Sequence, residues 1–174
     1  MSGPDAEAID LEDCVVRFRD LGAHESPFHP FDMQLDRFDR KRYSVIGRPA
    51  EQAGATKSTH QVKEFSVVYL SCEPGKGIGA HGHATPEVFI VLSGRWRLTL
   101  GADEENSTVL EPFDVISVPP DAMHGAVNIS DKTAWLMAIN AGHAGAKIQW
   151  APKLVEEIRA MGKQASESEV PGHR

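Results

Sequence analysis

Two histidines one residue apart, His81 and His83, a glutamate four positions further on, Glu87, and a third histidine, His124, are the residues of this sequence best suited to chemistry. On an extended strand, residues i and i+2 face the same way, so His81 and His83 can aim both imidazoles at one point. Glu87 follows Ala84-Thr85-Pro86, a turn-forming stretch. A chain that reverses there can return the carboxylate to the same point from a neighbouring strand. His124, behind the rigid Pro119-Pro120 pair, supplies a further imidazole. Three neutral nitrogens and one carboxylate suit one divalent ion, whether Fe, Zn, Mn, Ni, Cu or Co. They also leave one or two coordination positions open. Any one of these histidines alone is more often a surface or hydrogen-bonded core residue than a ligand; the company they keep is what points to a metal.

Strands are what such a site needs, and the sequence from Val62 onward supplies them. Short runs at Val62 to Cys72, Val88 to Leu92, Trp96 to Leu100, Thr108 to Leu110, Val115 to Val118, Gly125 to Ile129 and Ala134 to Asn140 are rich in β-branched or aromatic residues. Each is bounded by Gly, Pro, Asn, Asp or Ser. No connection between them is long enough for a crossover helix, so an antiparallel all-β core is expected and βαβ folds drop out. Gly75, Gly77 and Gly79 open no helix and precede no Gly-Lys-Ser/Thr, so they are read as a flexible approach to the histidines rather than a phosphate loop. Gly94 is placed at a tight hairpin. Upstream, a strand over Phe38 to Ile46 and a short helix within Leu11 to Leu21 are conceivable. Downstream, Leu154, Val155, Ile158 and Met161 form an apolar stripe, with Pro152 at its start and Gly162 beyond it, which predicts one amphipathic helix.

The two segments around the histidines resemble the paired motifs of the cupin superfamily. Gly75, His81, His83, Glu87 and Gly94 satisfy every position of the first. In the second, Pro119, His124 and Asn128 fall in register, while Phe113 and Asp121 stand where that family has glycine. The resemblance covers about Val62 to Asn140. It implies an all-β antiparallel cupin barrel of jelly-roll type, with an N-terminal arm and a short C-terminal helix: residues 1–60 arm and loop, 61–145 barrel, 146–174 helix and tail. It implies that His81, His83, Glu87 and His124 hold the metal, and that Glu87 either ligates or acts as general base. An iron(II) dioxygenase acting on a small enolic, phenolic or hydroxy-acid substrate is the first functional expectation. The alternatives are a non-redox metal-dependent lyase, isomerase or decarboxylase, and a small-molecule-binding cupin without turnover. Alternation from Glu87 brings Phe89 and Val91 to the ligand face, where core packing and a substrate wall are the two readings. Met123, directly before a ligand, is expected to close the pocket.

A net charge of -7 argues against nucleic acid as a partner. The one dense basic cluster, Asp36 to Arg42, alternates with acids and is read as a solvated, internally paired surface. Cys14 and Cys72 show no metal or redox spacing. The acidic start lacks the apolar run of a signal peptide or anchor, so a cytoplasmic protein without membrane attachment is expected, and the two Asn-x-Ser/Thr triplets carry no meaning. A small-molecule substrate and a homodimer complete the expectations. His24, His29, His60, His143 and His173 lack a partner at ligand spacing and are read as structural or solvent-facing.

Overall fold

The computed structural model describes residues 11–22, 31–47, 62, 64–141 and 147–162. Within them the β-rich runs become strands: β1 (Lys41–Ile46), β2 (Phe65–Cys72), β3 (Gly77–Gly82), β4 (Glu87–Ser93), β5 (Trp96–Leu100), β6 (Asn106–Leu110), β7 (Val115–Val118), β8 (His124–Asn128), β9 (Ala134–Ala141) and β10 (Gln149–Trp150). One helix follows, α1 (Pro152–Ala160). The helix starts on a proline, which needs no amide partner in the first turn, and ends before Gly162 at φ 71°. The short helix conceived within Leu11 to Leu21 is instead two 3₁₀ turns, Leu11–Cys14 and Phe18–Asp20. The five isolated histidines and the loop over residues 48–59 lie outside the described residues, as does most of the C-terminal tail. No helix among the described residues is long and apolar enough to cross a membrane.

The strands pair antiparallel in two five-stranded sheets, ordered β1-β2-β9-β4-β7 and β10-β3-β8-β5-β6. This corrects the expected closed barrel. Among the described residues no strand pairing joins one sheet to the other. Alternation in the sequence marks which face of a strand is buried, but it is silent on whether edge strands find partners. Two of the four edge strands are short: β7 has four residues and β10 two. Gly94, expected at a hairpin, takes φ 76° in the link between β4 and β5, which lie in different sheets. A side chain there would collide with Ala134 Cβ at 2.5 Å.

The inner faces of the sheets bury Val68, Leu70, Phe89, Val91, Trp96, Leu98, Leu136 and neighbours as the main core. Burying each large apolar side chain stabilises by about 1.5–3 kcal/mol. A second core lies outside β3, where Leu154, Val155 and Ile158 of α1 meet Phe31, Leu35 and Phe38 of the N-terminal arm over Ala80 and Trp150. Between the two cores β3 carries a bulge. Ile78 pairs with Ala126 and His81 with His124, so two residues of β3, Gly79 and Ala80, stand against one of β8, Gly125. Ile78 and His81 therefore share the inner face, while Ala80 turns to the second core.

Phe113 and Asp121, the residues standing in for motif glycines, keep glycine backbone geometry at φ 74° and 63°. Phe113 donates its N–H to the Val91 carbonyl (2.8 Å), and Asp121 donates to that of His83 (2.8 Å). The turns are thus preserved at a conformational cost, larger for phenylalanine than for aspartate. Phe113 is 82% exposed, so its side chain offers little packing in return. Phe113→Gly is expected to stabilise the protein by about 1 kcal/mol, measured by urea denaturation, without altering metal content.

Candidate metal centre

His81 reaches the site from β3, His124 from the start of β8, and Glu87 from the start of β4 on the opposite sheet; His83 sits just past the end of β3. The β3–β8 register sets His81 directly beside His124. All four residues are buried, and one ligand atom from each lies within 4.8 Å of every other. Each imidazole is tied back by Nδ1, which must carry the hydrogen because its partner is a carbonyl. His81 donates to Gly79 O (2.9 Å), His83 to Thr85 O (2.7 Å) and His124 to Ala122 O (2.8 Å). That fixes the tautomer and leaves the Nε2 lone pairs for the centre.

Glu87 Oε2 lies 2.9 Å from His124 Nε2 and 3.2 Å from His83 Nε2. A carboxylate and two neutral imidazole nitrogens are all acceptors at these atoms, so only a cation between them, proton or metal, makes such closeness favourable. Ligands about 2.1 Å from one metal and at right angles lie roughly 3 Å apart, which matches the spacing. The donor set, its burial and its spacing fit one divalent metal ion.

Burial drives the electrostatics. It disfavours the imidazolium of His81, the facing His124 adds to this, and His81 drops to about 4. His83 moves upward, chiefly through its hydrogen bond with Glu87. For Glu87 itself burial pushes upward, but the hydrogen bonds with His124 and His83 and the surrounding imidazoles outweigh it, leaving the carboxyl at about 2.

A second tier holds His81 in place, and sequence reasoning missed it. Asp32, fully buried in the arm, accepts the Gly79 N–H in the bulge (2.9 Å) and receives Arg40 through both terminal nitrogens, at 2.8 and 3.1 Å. Gly79 thus gives its N–H to Asp32 and its carbonyl to His81. A Cβ here would crowd Leu154 Cδ2 at 2.8 Å and Asp32 Cβ at 3.0 Å, so a larger residue would push on the buried Asp32. The Asp36 to Arg42 run is only partly the solvated surface it resembled. Arg37 pairs with Glu157 and Lys76 with Asp36 and Asp39 at the surface, but the Arg40 side chain is 5% exposed. No spacing signal connects Asp32 to Gly79; only their meeting in space does.

A cavity of about 70 Å³ opens beside the ligands, with His81, Glu87, Phe89, Arg42, Asn140 and Trp150 among its walls. Phe89 lines this cavity. Val91 lies fully buried in the main core, and Met123 lies half-buried before β8, its carbonyl accepting the Gly101 N–H; neither borders this cavity. Asn128 of the second motif is structural, joining Cys72 O, Lys132 O and Ser130 N. Both cysteines are free, and burial raises the Cys72 thiol to about 12, which makes it inert.

The Cupin domain family model matches residues 68–140. No curated protein matches the sequence. Among solved structures, the chain is similar to the polyketide cyclase RemF of Streptomyces resistomycificus, with 16% identity and TM-score 0.55 over 76% of this chain and 80% of that one. It is similar to the oxalate decarboxylase of Lactobacillus farciminis at 16% identity and TM-score 0.55, over 80% of this chain but 36% of that one. It is also similar to the lyase DddQ of Ruegeria pomeroyi, with 18% identity and TM-score 0.51 over 71% of this chain and 55% of that one. Identities at this level establish a shared fold.

Two outcomes are expected at the centre. Asp32→Ala leaves Arg40 buried without its partner and should cost about 3–5 kcal/mol of stability, while Asp32→Leu/Arg40→Met should recover much of it. If Asp32 also positions His81, the recovered double variant should still bind cobalt roughly 10–100-fold more weakly, read by competition with a chelator. The second outcome concerns pH in metal-free protein. His81 has a lowered native value, so the unfolded chain binds the proton first, and stability should fall by roughly 3 kcal/mol as pH drops from 6.5 to about 4. Glu87 adds a loss from 4.5 downward, whereas the raised His83 gives stability that is fully present below 6.5 and is lost only as pH rises above it. Urea titration in EDTA, with His81→Phe flattening the upper part of the slope, checks this.

Proposed function

The chain belongs to the cupin superfamily, and from that premise we propose that it is a metal-dependent enzyme carrying out a non-redox bond cleavage or rearrangement, of lyase, decarboxylase or isomerase type, on a small molecule. The observation that carries this reading is the convergence of three carbonyl-anchored imidazoles and one ionised carboxylate, two of which, His81 and Glu87, line a small cavity with a partly apolar wall. In this reading His81, His83, His124 and Glu87 hold the ion. When bound, it supplies a Lewis acid that polarises a carbonyl or carboxylate oxygen. Glu87, kept ionised by its neighbours, is either the fourth ligand or, where it leaves the ion, the group that would take up and return a proton, and Phe89 excludes water from that face.

The named neighbours are a cyclase, a decarboxylase and a lyase, which favours this reading over the iron dioxygenase expected from the sequence. We also propose a homodimer, which sedimentation equilibrium would register as twice the chain mass. The central test is metal analysis of protein purified without nickel resin, followed by turnover under argon of small hydroxy and keto acids by zinc-, manganese- or cobalt-loaded protein. About one equivalent of metal, lost in His81→Ala/His124→Ala, together with anaerobic product is expected. Product formed only with iron and matched by oxygen uptake would return the dioxygenase. A protein that takes up no metal would end the enzymatic reading.

A further inference from the structure

The two sheets differ in what they turn outward. In β10-β3-β8-β5-β6 the outer side is covered at β3 by α1 and the arm, and further along it carries the exposed Arg97 of β5 and Ser107 of β6. That is the usual division in an antiparallel sheet, apolar within and polar without. The sheet β1-β2-β9-β4-β7 departs from it. Leu70, Leu136, Phe89 and Val91 point into the main core, so alternation turns the residues between them outward. Strand register sets Tyr43, Tyr69, Met137, Ile90 and Val115 in one row across all five strands of that outer face. Beside it runs a second row of Val67, Ile139, Val88 and Ser117. Neither row holds a carboxylate, amine or guanidinium. The row on the other side, Lys41, Ser71, Trp135 and Ser93, brings one charge, and it sits on the edge strand.

At the β1 end Phe18 of the arm rests on Tyr43, Tyr69 and Trp135, with ring centroids 5.2, 6.2 and 5.3 Å away. Met137, Ile90 and Val115 belong to neither buried core among the described residues, and Val115 is 58% exposed. Five strands about 4.8 Å apart, each presenting five residues at about 3.3 Å, make a face on the order of 400 Å² in flat projection, and the side chains standing on it raise the accessible area further. Phe18 and Phe65, both partly exposed, extend it. A stable interface removes about 800 Å² per partner, so the face is of the order a small dimer uses. A twofold axis pairs such a patch with itself, apolar against apolar, and takes no charged group out of water.

We propose that two copies of this chain associate through the outer face of β1-β2-β9-β4-β7, stacked about a twofold axis with Met137, third in the row of five, at the centre. This rests on the homodimer proposed above and assigns its surface. Glu87 alternates with Phe89 and faces inward, so the pairing leaves the candidate metal ligands untouched.

The test is sedimentation velocity over a dilution series for wild type, Met137→Glu and Ile90→Thr, with far-ultraviolet circular dichroism and cobalt content read on the same samples. Trp96 and Trp150 are fully buried, so of the three tryptophans Trp135, beside the central row, is the one a quencher reaches, and acrylamide quenching of the wild type follows the face without any substitution. The expected result is a dimer whose quenching rises as dilution separates the copies. Met137→Glu sets two carboxylates against each other at the axis and should weaken association about 100-fold with the spectrum unchanged. Ile90→Thr keeps β-branching and should weaken it about 10-fold; with the quenching series it decides the matter if Met137→Glu does not fold. A wild type that is monomeric throughout overturns the homodimer and the surface together, including the case in which another segment of the chain shields Trp135. A dimer that both variants leave intact, or whose quenching ignores dilution, keeps the homodimer and overturns the surface alone.

Discussion

The bulge in β3 is the constraint on which the rest of the structure depends. One extra residue between Ile78 and His81 moves the histidine to the inner face and sets it opposite His124. The bulge is held from outside by Asp32, which occupies its N–H, and from inside by His81, which occupies its carbonyl. Because Asp32 also takes both terminal nitrogens of Arg40, the arm, β3 and the candidate ligand are joined by one run of buried, satisfied polar groups. A buried ion pair adds little net stability against an apolar substitute, but once present it makes the alternatives expensive, and here the alternative is a displaced His81.

The second core explains why that arrangement persists. Helix α1 and the arm cover the outer side of β3, so the strand is buried on both faces although it contains three glycines and no bulky residue before Ile78 other than the preceding Lys76. Gly79 yields space to Leu154 and Asp32, and the weakness of a glycine-rich strand is offset by packing on either side. The site is thus carried on a rigid ladder rather than on loops, with only His83 beyond a strand end, and there its carbonyl is tied by the Asp121 amide.

Much of this was legible beforehand. Spacing and residue type singled out His81, His83, Glu87 and His124, because a period of two and a turn before Glu87 leave few other ways to use them. Local composition marked β2, β4 to β9 and α1 for the same reason: β-branched runs between turn residues, and an apolar stripe at helical period. What failed were inferences needing distant partners. The glycine-rich stretch at β3 read as a flexible approach since its burial comes from elements 40 residues before it and 70 after, and Arg40 read as solvated since its partner is defined by folding.

What the sequence determined by itself is therefore the chemistry available: a donor set for one divalent ion, an antiparallel all-β core, and a terminal helix, each encoded in spacings of a few residues. Tertiary structure alone decided that the sheets stay open rather than close, that Asp32 supports His81 through Gly79, and that Arg42 and Trp150 line the same small cavity as His81 and Glu87. Strand period and residue type act over one or two turns of chain. Edge pairing, burial of an ion pair and the walls of a cavity depend on which segments meet, and that is set by the free energy of the whole packed chain.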